Sequence, residues 1–102
     1  DAPGDRGAAA DDGPGTVKVS CGAGRHPRVI VQEVLRALAI HGISHRQISG
    51  SVVRCQDQGV RVQAEVVQAD RGGGYTLRLS RVSGDPRRYK ELCAVLVADM
   101  CL

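Results

Sequence analysis

The chain has no Trp and no Phe, and its aromatic side chains are confined to Tyr75 and Tyr89. Aliphatic residues, Val above all, must therefore build the core. The flat platforms on which unpaired bases stack are nearly absent, so sequence-reading of single strands is excluded and no nucleic-acid partner is expected. A Cys-x-x-Cys pair is also missing. Cys21, Cys55, Cys93 and Cys101 each sit inside an apolar pattern, where a free thiol behaves as a small hydrophobe, and a reduced, intracellular protein is expected. His41 and His45 flank a turn with no cysteine at ligand spacing, which argues against a zinc site; no metal and no cofactor are expected. No apolar run approaches the roughly 20 residues of a membrane span, and no charged-then-apolar leader is present, so any membrane contact should be peripheral.

What is present is a length of 102 residues, enough for one domain with a single two-layer core. The formal charge of +3 conceals an asymmetry: Asp1, Asp5, Asp11, Asp12 and Arg6 bring residues 1–15 to −3, and the remaining 13 basic against 7 acidic side chains leave +6. A compact basic domain attracts anionic partners, whether a membrane surface, an acidic protein face or a phosphate backbone. Residues 1–15 contain Gly, Pro, Asp and Ala with no large apolar side chain, so they cannot offset the entropy of ordering and read as a disordered linker or tail. Residues 16–102 read as the domain.

Along that domain, Thr16–Cys21 alternates with period two and predicts a strand. His26-Pro27 opens a helix over 27–41 with Val31, Val34, Leu35 and Leu38 as its stripe and Gly42 just past its end. Ile43–Ser49 and Ser51–Gln56 are short strand candidates, and Asp57-Gln58-Gly59 is a tight turn. In Val60–Val66 every second residue is apolar, as suits an antiparallel sheet covered on one side. Asp70–Gly74 reads as a hairpin loop, after which Tyr75, Leu77 and Leu79 face inward and Thr76, Arg78 and Ser80 outward. Ser83-Gly84 is a turn, Asp85 a cap, and Pro86 the first residue of a helix running to the chain end. Its stripe is Tyr89, Leu92, Cys93, Leu96 and Met100. The fold class is therefore α+β: a two-layer sandwich of a mainly antiparallel four- to five-stranded sheet with two helices on one face, in the order β-α-β-β-β-β-α.

No nucleophile, base and acid fall together, so no catalytic residues are expected and the chain is not read as an enzyme. In a regular strand Arg78 points outward and Arg81 inward. Val82 is the better inward residue, so a bulge near Ser80-Arg81 is expected to seat Val82 in the core. It would turn Arg81 out beside Arg78, in one anion-binding surface with Arg87 and Arg88.

Residues 16–102 resemble kinase-associated domain 1 at the C-terminus of microtubule-affinity-regulating (Par-1-like) and related AMP-activated-kinase-like Ser/Thr kinases. The resemblance rests on Leu79-Ser80-Arg81-Val82-Ser83-Gly84-Asp85, on Tyr89-Lys90-Glu91-Leu92-Cys93 and on a final helix ending in Leu102. Pro27 followed by Val31–Leu38, the Val53-Arg54-Cys55 strand and Val62–Val66 support it by order and spacing. It implies a non-catalytic regulatory module that binds acidic phospholipids, notably phosphatidylserine, at the plasma membrane and holds the kinase domain of the same protein inactive. The alternative is a module that docks on the kinase domain or a regulatory subunit without lipid. A cytoplasmic, monomeric domain is implied. Of the family's basic pair before the Ser-Gly turn, Arg81 matches and Ser80 does not; its two helix arginines fall on Gln32 and Leu35, with Arg36 beside them. The expected anionic-lipid residues are Arg78, Arg81, Arg87, Arg88, Lys90, Arg25, Arg28 and Arg36.

Overall fold

The structure, a computed structural model, describes residues 15–69 and 73–102. The 1–15 tail, save Gly15, and Asp70, Arg71 and Gly72 of the hairpin loop lie outside the described residues. The elements are β1 (Val17–Ser20), α1 (Pro27–Ile40), β2 (Ser44–Gln47), β3 (Val52–Asp57), β4 (Val60–Gln68), β5 (Tyr75–Ser83) and α2 (Pro86–Asp99). The strands form one sheet in the order β1-β5-β4-β3-β2, antiparallel at every pairing. Val53 and Cys55, Val60, Val62, Ala64 and Val66, and Leu77 and Leu79 alternate onto one buried face. Helix α1 lies over β2, β3 and β4, and α2 over β4 and β5, with the two helices touching. This is the α+β two-layer sandwich that the residue periods predict.

Helix α1 starts where His26 Nδ1 accepts a hydrogen bond from the Arg28 amide at 3.1 Å and Pro27 takes the first helical position. It ends in a left-handed Gly42 (φ 66°), whose N–H bonds Ala39 O while Ile43 N–H bonds Leu38 O. Such a cap joins the residue after the glycine to the last turn by an apolar contact, and Leu38 and Ile43 are both buried. Ile43 thus serves the helix end rather than a strand, which leaves β2 only four residues long with every side chain exposed. Between β3 and β4, Gln58 (φ 49°) and Gly59 (φ 81°) are the two central residues of the hairpin turn, the pair of positive φ values that matches strand twist.

Two local expectations are corrected. Helix α2 does not run to the chain end: it stops at Asp99, and Met100 is extended (ψ 138°) yet buried. The last residues instead satisfy partners elsewhere, with Gly22 N–H donating to Leu102 O and Cys101 N–H to Glu33 Oε1. Val82 is not in the core either, being 46% exposed. The sheet does have an irregularity, but one residue later than expected: Val62 pairs with Arg81 and Arg61 with Ser83, so Val82 is the extra residue. A cause lies in Gly84 (φ 105°), which packs so closely on the turn before β4 that a Cβ there would stand 2.6 Å from Gly59 O. That approach draws Ser83 level with Arg61 and lifts Val82 outward.

Candidate functional site

The expected site residues separate into three groups. At one end of the molecule the Gln58-Gly59 turn, the Ser83-Gly84 turn and the start of α2 converge. Asp85 caps the helix by accepting the Arg88 amide at 3.0 Å. The Arg88 guanidinium donates to Gln58 Oε1 at 2.7 Å and that of Arg81 to Gly84 O at 2.8 Å. Arg87 is exposed and has no side-chain partner among the described residues. These acceptors are neutral, so the guanidinium groups are positioned without an ion pair to an acid, while the Asp85 carboxylate at the cap offsets part of the positive end of the α2 dipole. Lys90, also exposed, is farther along the helix beside β1, near Val17 and Val97.

Arg78 is not in that group. It pairs with Glu65 on the uncovered face of the sheet, where the two side chains form a 2.8 Å ion pair. Arg81 pairs with buried Val62 and so stands on the helix-covered side, at the rim. The bulge falls after Arg81 rather than before it, so the two arginines keep opposite faces.

The α1 arginines divide again. Arg28 is exposed beside Gln32 and Leu35 near the start of the helix, and Arg25 is half-buried in the loop before it. Arg36 holds Glu33 through both its Nε and Nη2, at 3.0 and 2.9 Å, and also donates to Asp99 O. His41 reaches the Asp99 carboxylate at 3.1 Å. Arg36 is therefore a tie between α1 and the end of α2. Its guanidinium and the Cys101 amide hold the Glu33 carboxyl at about 2, well below the usual carboxylate range.

Three arginines outside the expected set share the open sheet face: Arg46, Arg54 and Arg61, all exposed. Their alternation with buried neighbours was visible in the sequence for β3 and β4; that β2 lies beside β3 was not. Among the described residues, no three His, Cys, Asp or Glu side chains come together in a metal-holding group. Burial pushes the Cys55 thiol up to about 11 and raises those of Cys93 and Cys21, which keeps them un-ionised at neutral pH. No helix among the described residues is long and apolar enough to cross a membrane.

Residues 58–102, which span the second hairpin strand pair and α2, match the family model described as "Kinase associated domain 1". The chain is similar to a kinase as well, being 29% identical over 73 residues to "Probable serine/threonine-protein kinase MARK-A" of Dictyostelium discoideum. That alignment covers 72% of this chain and 7% of the relative, so the chain corresponds to a small part of that kinase's length. The kinase associated domain 1 match takes in Arg61 and the whole α2 end with Arg81, Arg87, Arg88 and Lys90, as well as Arg78.

Proposed function

We propose that this domain is a regulatory module of a Ser/Thr kinase that docks peripherally on acidic phospholipid, phosphatidylserine among them, and contributes to holding the kinase domain of the same protein inactive. The carrying observation is the basic end formed by Arg81, Arg87 and Arg88, whose side-chain partners among the described residues are neutral oxygens. Guanidinium groups held in place without an ion pair are what an anionic surface attracts. The family match and the kinase named among its relatives support the regulatory part of the reading. On this proposal the domain works as a monomer on the cytoplasmic side of the plasma membrane. Arg78 and Arg36, engaged by Glu65 and Glu33, lie outside this surface, as do Arg25, Arg28 and Lys90 on other parts of the molecule.

The test is co-sedimentation with vesicles over a series of phosphatidylserine contents. Each basic side chain near an anionic membrane contributes about 1 kcal/mol, so changing Arg81 and Arg87 together to Ser should lower partitioning about thirtyfold at low salt. The melting temperature should barely move. Binding equal to the parent's would remove the lipid reading from these residues.

One observation favours the second reading, docking on a kinase domain or regulatory subunit. Ile40 and Val95 are 60% and 46% exposed, and Val95 borders a cleft of about 250 Å³ where Ile43, Val60 and Leu92 stand beside the charged Asp57, Arg88 and Glu91. An interaction through the exposed apolar side chains Ile40 and Val95 would persist in salt that abolishes vesicle binding.

A further inference from the structure

The uncovered face of the sheet carries a group of cations that the α2-end reading does not use. Arg46 on β2 stands directly opposite Arg54 on β3. Like charges at directly opposed positions of an antiparallel pair destabilise it, since their Cβ atoms are only about 5 Å apart. Arg61 on β4 is diagonal to Arg54, because Arg61 pairs with Gln56 and Arg54 with Gln63. Diagonal neighbours are about 7–8 Å apart, within reach of long side chains.

The local partners of these arginines are amides rather than acids. Arg54 Nε donates to Gln63 Oε1 at 3.0 Å and Arg61 Nε to Gln56 Oε1 at 3.3 Å. Both bonds use Nε, which fixes each guanidinium plane and leaves the paired terminal nitrogens available. Arg46 has no side-chain hydrogen bond or ion pair among the described residues. Glu65, the acid on the same face, is engaged by Arg78. The three arginines line a surface depression of about 430 Å³ with Ser44, Gln56 and the exposed Val82.

We infer that Arg46, Arg54 and Arg61 form an anion site for a phosphomonoester group, separate from the α2 end. Three planar forks from three adjacent strands suit a dianion with three acceptor oxygens better than a single carboxylate. The strand-to-strand repulsion that the free protein tolerates is relieved when the anion binds. Val82, projecting at the edge of the depression, would meet the apolar side of a lipid interface, which makes a phosphomonoester headgroup the favoured source over free phosphate.

Two probes test this: inorganic phosphate, titrated at constant ionic strength against chloride, and vesicles containing phosphatidic acid, compared with phosphatidylserine vesicles of equal surface charge. The arginine Nε–H resonances of Arg54 and Arg61 should shift saturably with phosphate, and Arg54→Gln should abolish the response while Arg87→Ser leaves it intact. Arg54→Gln with Arg61→Gln should lower binding to phosphatidic acid vesicles about tenfold more than binding to phosphatidylserine vesicles. Response in both arms identifies a headgroup as the source, and response to phosphate alone identifies a soluble phosphate; either supports the site. No saturable response in either arm, or equal loss on both lipids without a phosphate response, overturns it. Should Arg54→Gln disturb the sheet, Arg46→Gln repeats the test: it should melt above the parent, having lost a repulsive neighbour, and still fail to respond to phosphate. Because the α2-end variants and phosphatidylserine binding are measured separately, failure here leaves that reading standing or falling on its own data.

Discussion

Tyr89 shows at the scale of one residue what an apolar stripe does and does not disclose. Its place in the stripe follows from the spacing with Leu92, Cys93 and Leu96, and its ring is fully buried. The destination of its hydroxyl does not follow: it donates to Leu79 O at 2.7 Å and so ties α2 to β5. Burial and the neighbouring Cys93 push the phenol's pKa up, so it stays a donor throughout the ordinary pH range. Tyr89→Phe should therefore cost about 1 kcal/mol, the net contribution of one such bond. For a domain of this size that is a fall of about 4–8 °C in melting temperature, measurable by calorimetry. Arg36 and Arg87 make the complementary point. In the sequence both are arginines on polar helix positions, yet one is held by Glu33 and by Asp99, 63 residues away, and the other projects freely among the described residues. A side chain's partner across that distance leaves no mark on local pattern.

At the scale of elements, α2 is secured by its stripe rather than by its propensity. Its first turn carries Arg87, Arg88 and Lys90 against the dipole, and neither an acid in that turn nor a base in the last one compensates. Packing must therefore hold it, and Leu96, 2% exposed, lies in the middle of the packed face. Leu96→Ala should destabilise the domain by about 2–5 kcal/mol in denaturant unfolding, through lost transfer energy and the cavity left behind. An unchanged midpoint would mean that α2 is not docked on β4 and β5. The strands were legible to a similar degree. Val60–Val66 declares its buried face by strict alternation, whereas the end of β5 misleads because the fit of Gly84 onto Gly59 and Val60 overrides the preference of Val82 for the interior. A close backbone approach between segments about 25 residues apart is a tertiary fact, and it moved the bulge by one position.

For the whole molecule, Glu33 joins α1 to the C-terminal residues through Arg36 and the Cys101 amide. Its carboxyl lies at about 2 in the folded domain against an ordinary 4.5. The folded state therefore binds this proton less readily than the unfolded chain. The resulting stabilisation is complete above about 4.5 and is lost as pH falls toward about 2. Melting temperature should decline through that window, and Glu33→Gln should flatten the decline while melting lower than the parent at neutral pH. The residue periods, the two Pro-led helix starts and the turn glycines determined by themselves the element order, the single covered sheet face and most of the core, because each follows from interactions within a few residues of backbone. The family resemblance was legible for the same reason, resting on short motifs in order. Only the tertiary structure decided which arginines share a surface: sheet order brings β2 to β3 and sets Arg46 against Arg54, the position of the bulge keeps Arg78 and Arg81 on opposite faces, and contacts between distant segments consume Arg36. Electrostatic fields add over space rather than along the chain, so a basic surface exists only once the fold has placed its charges.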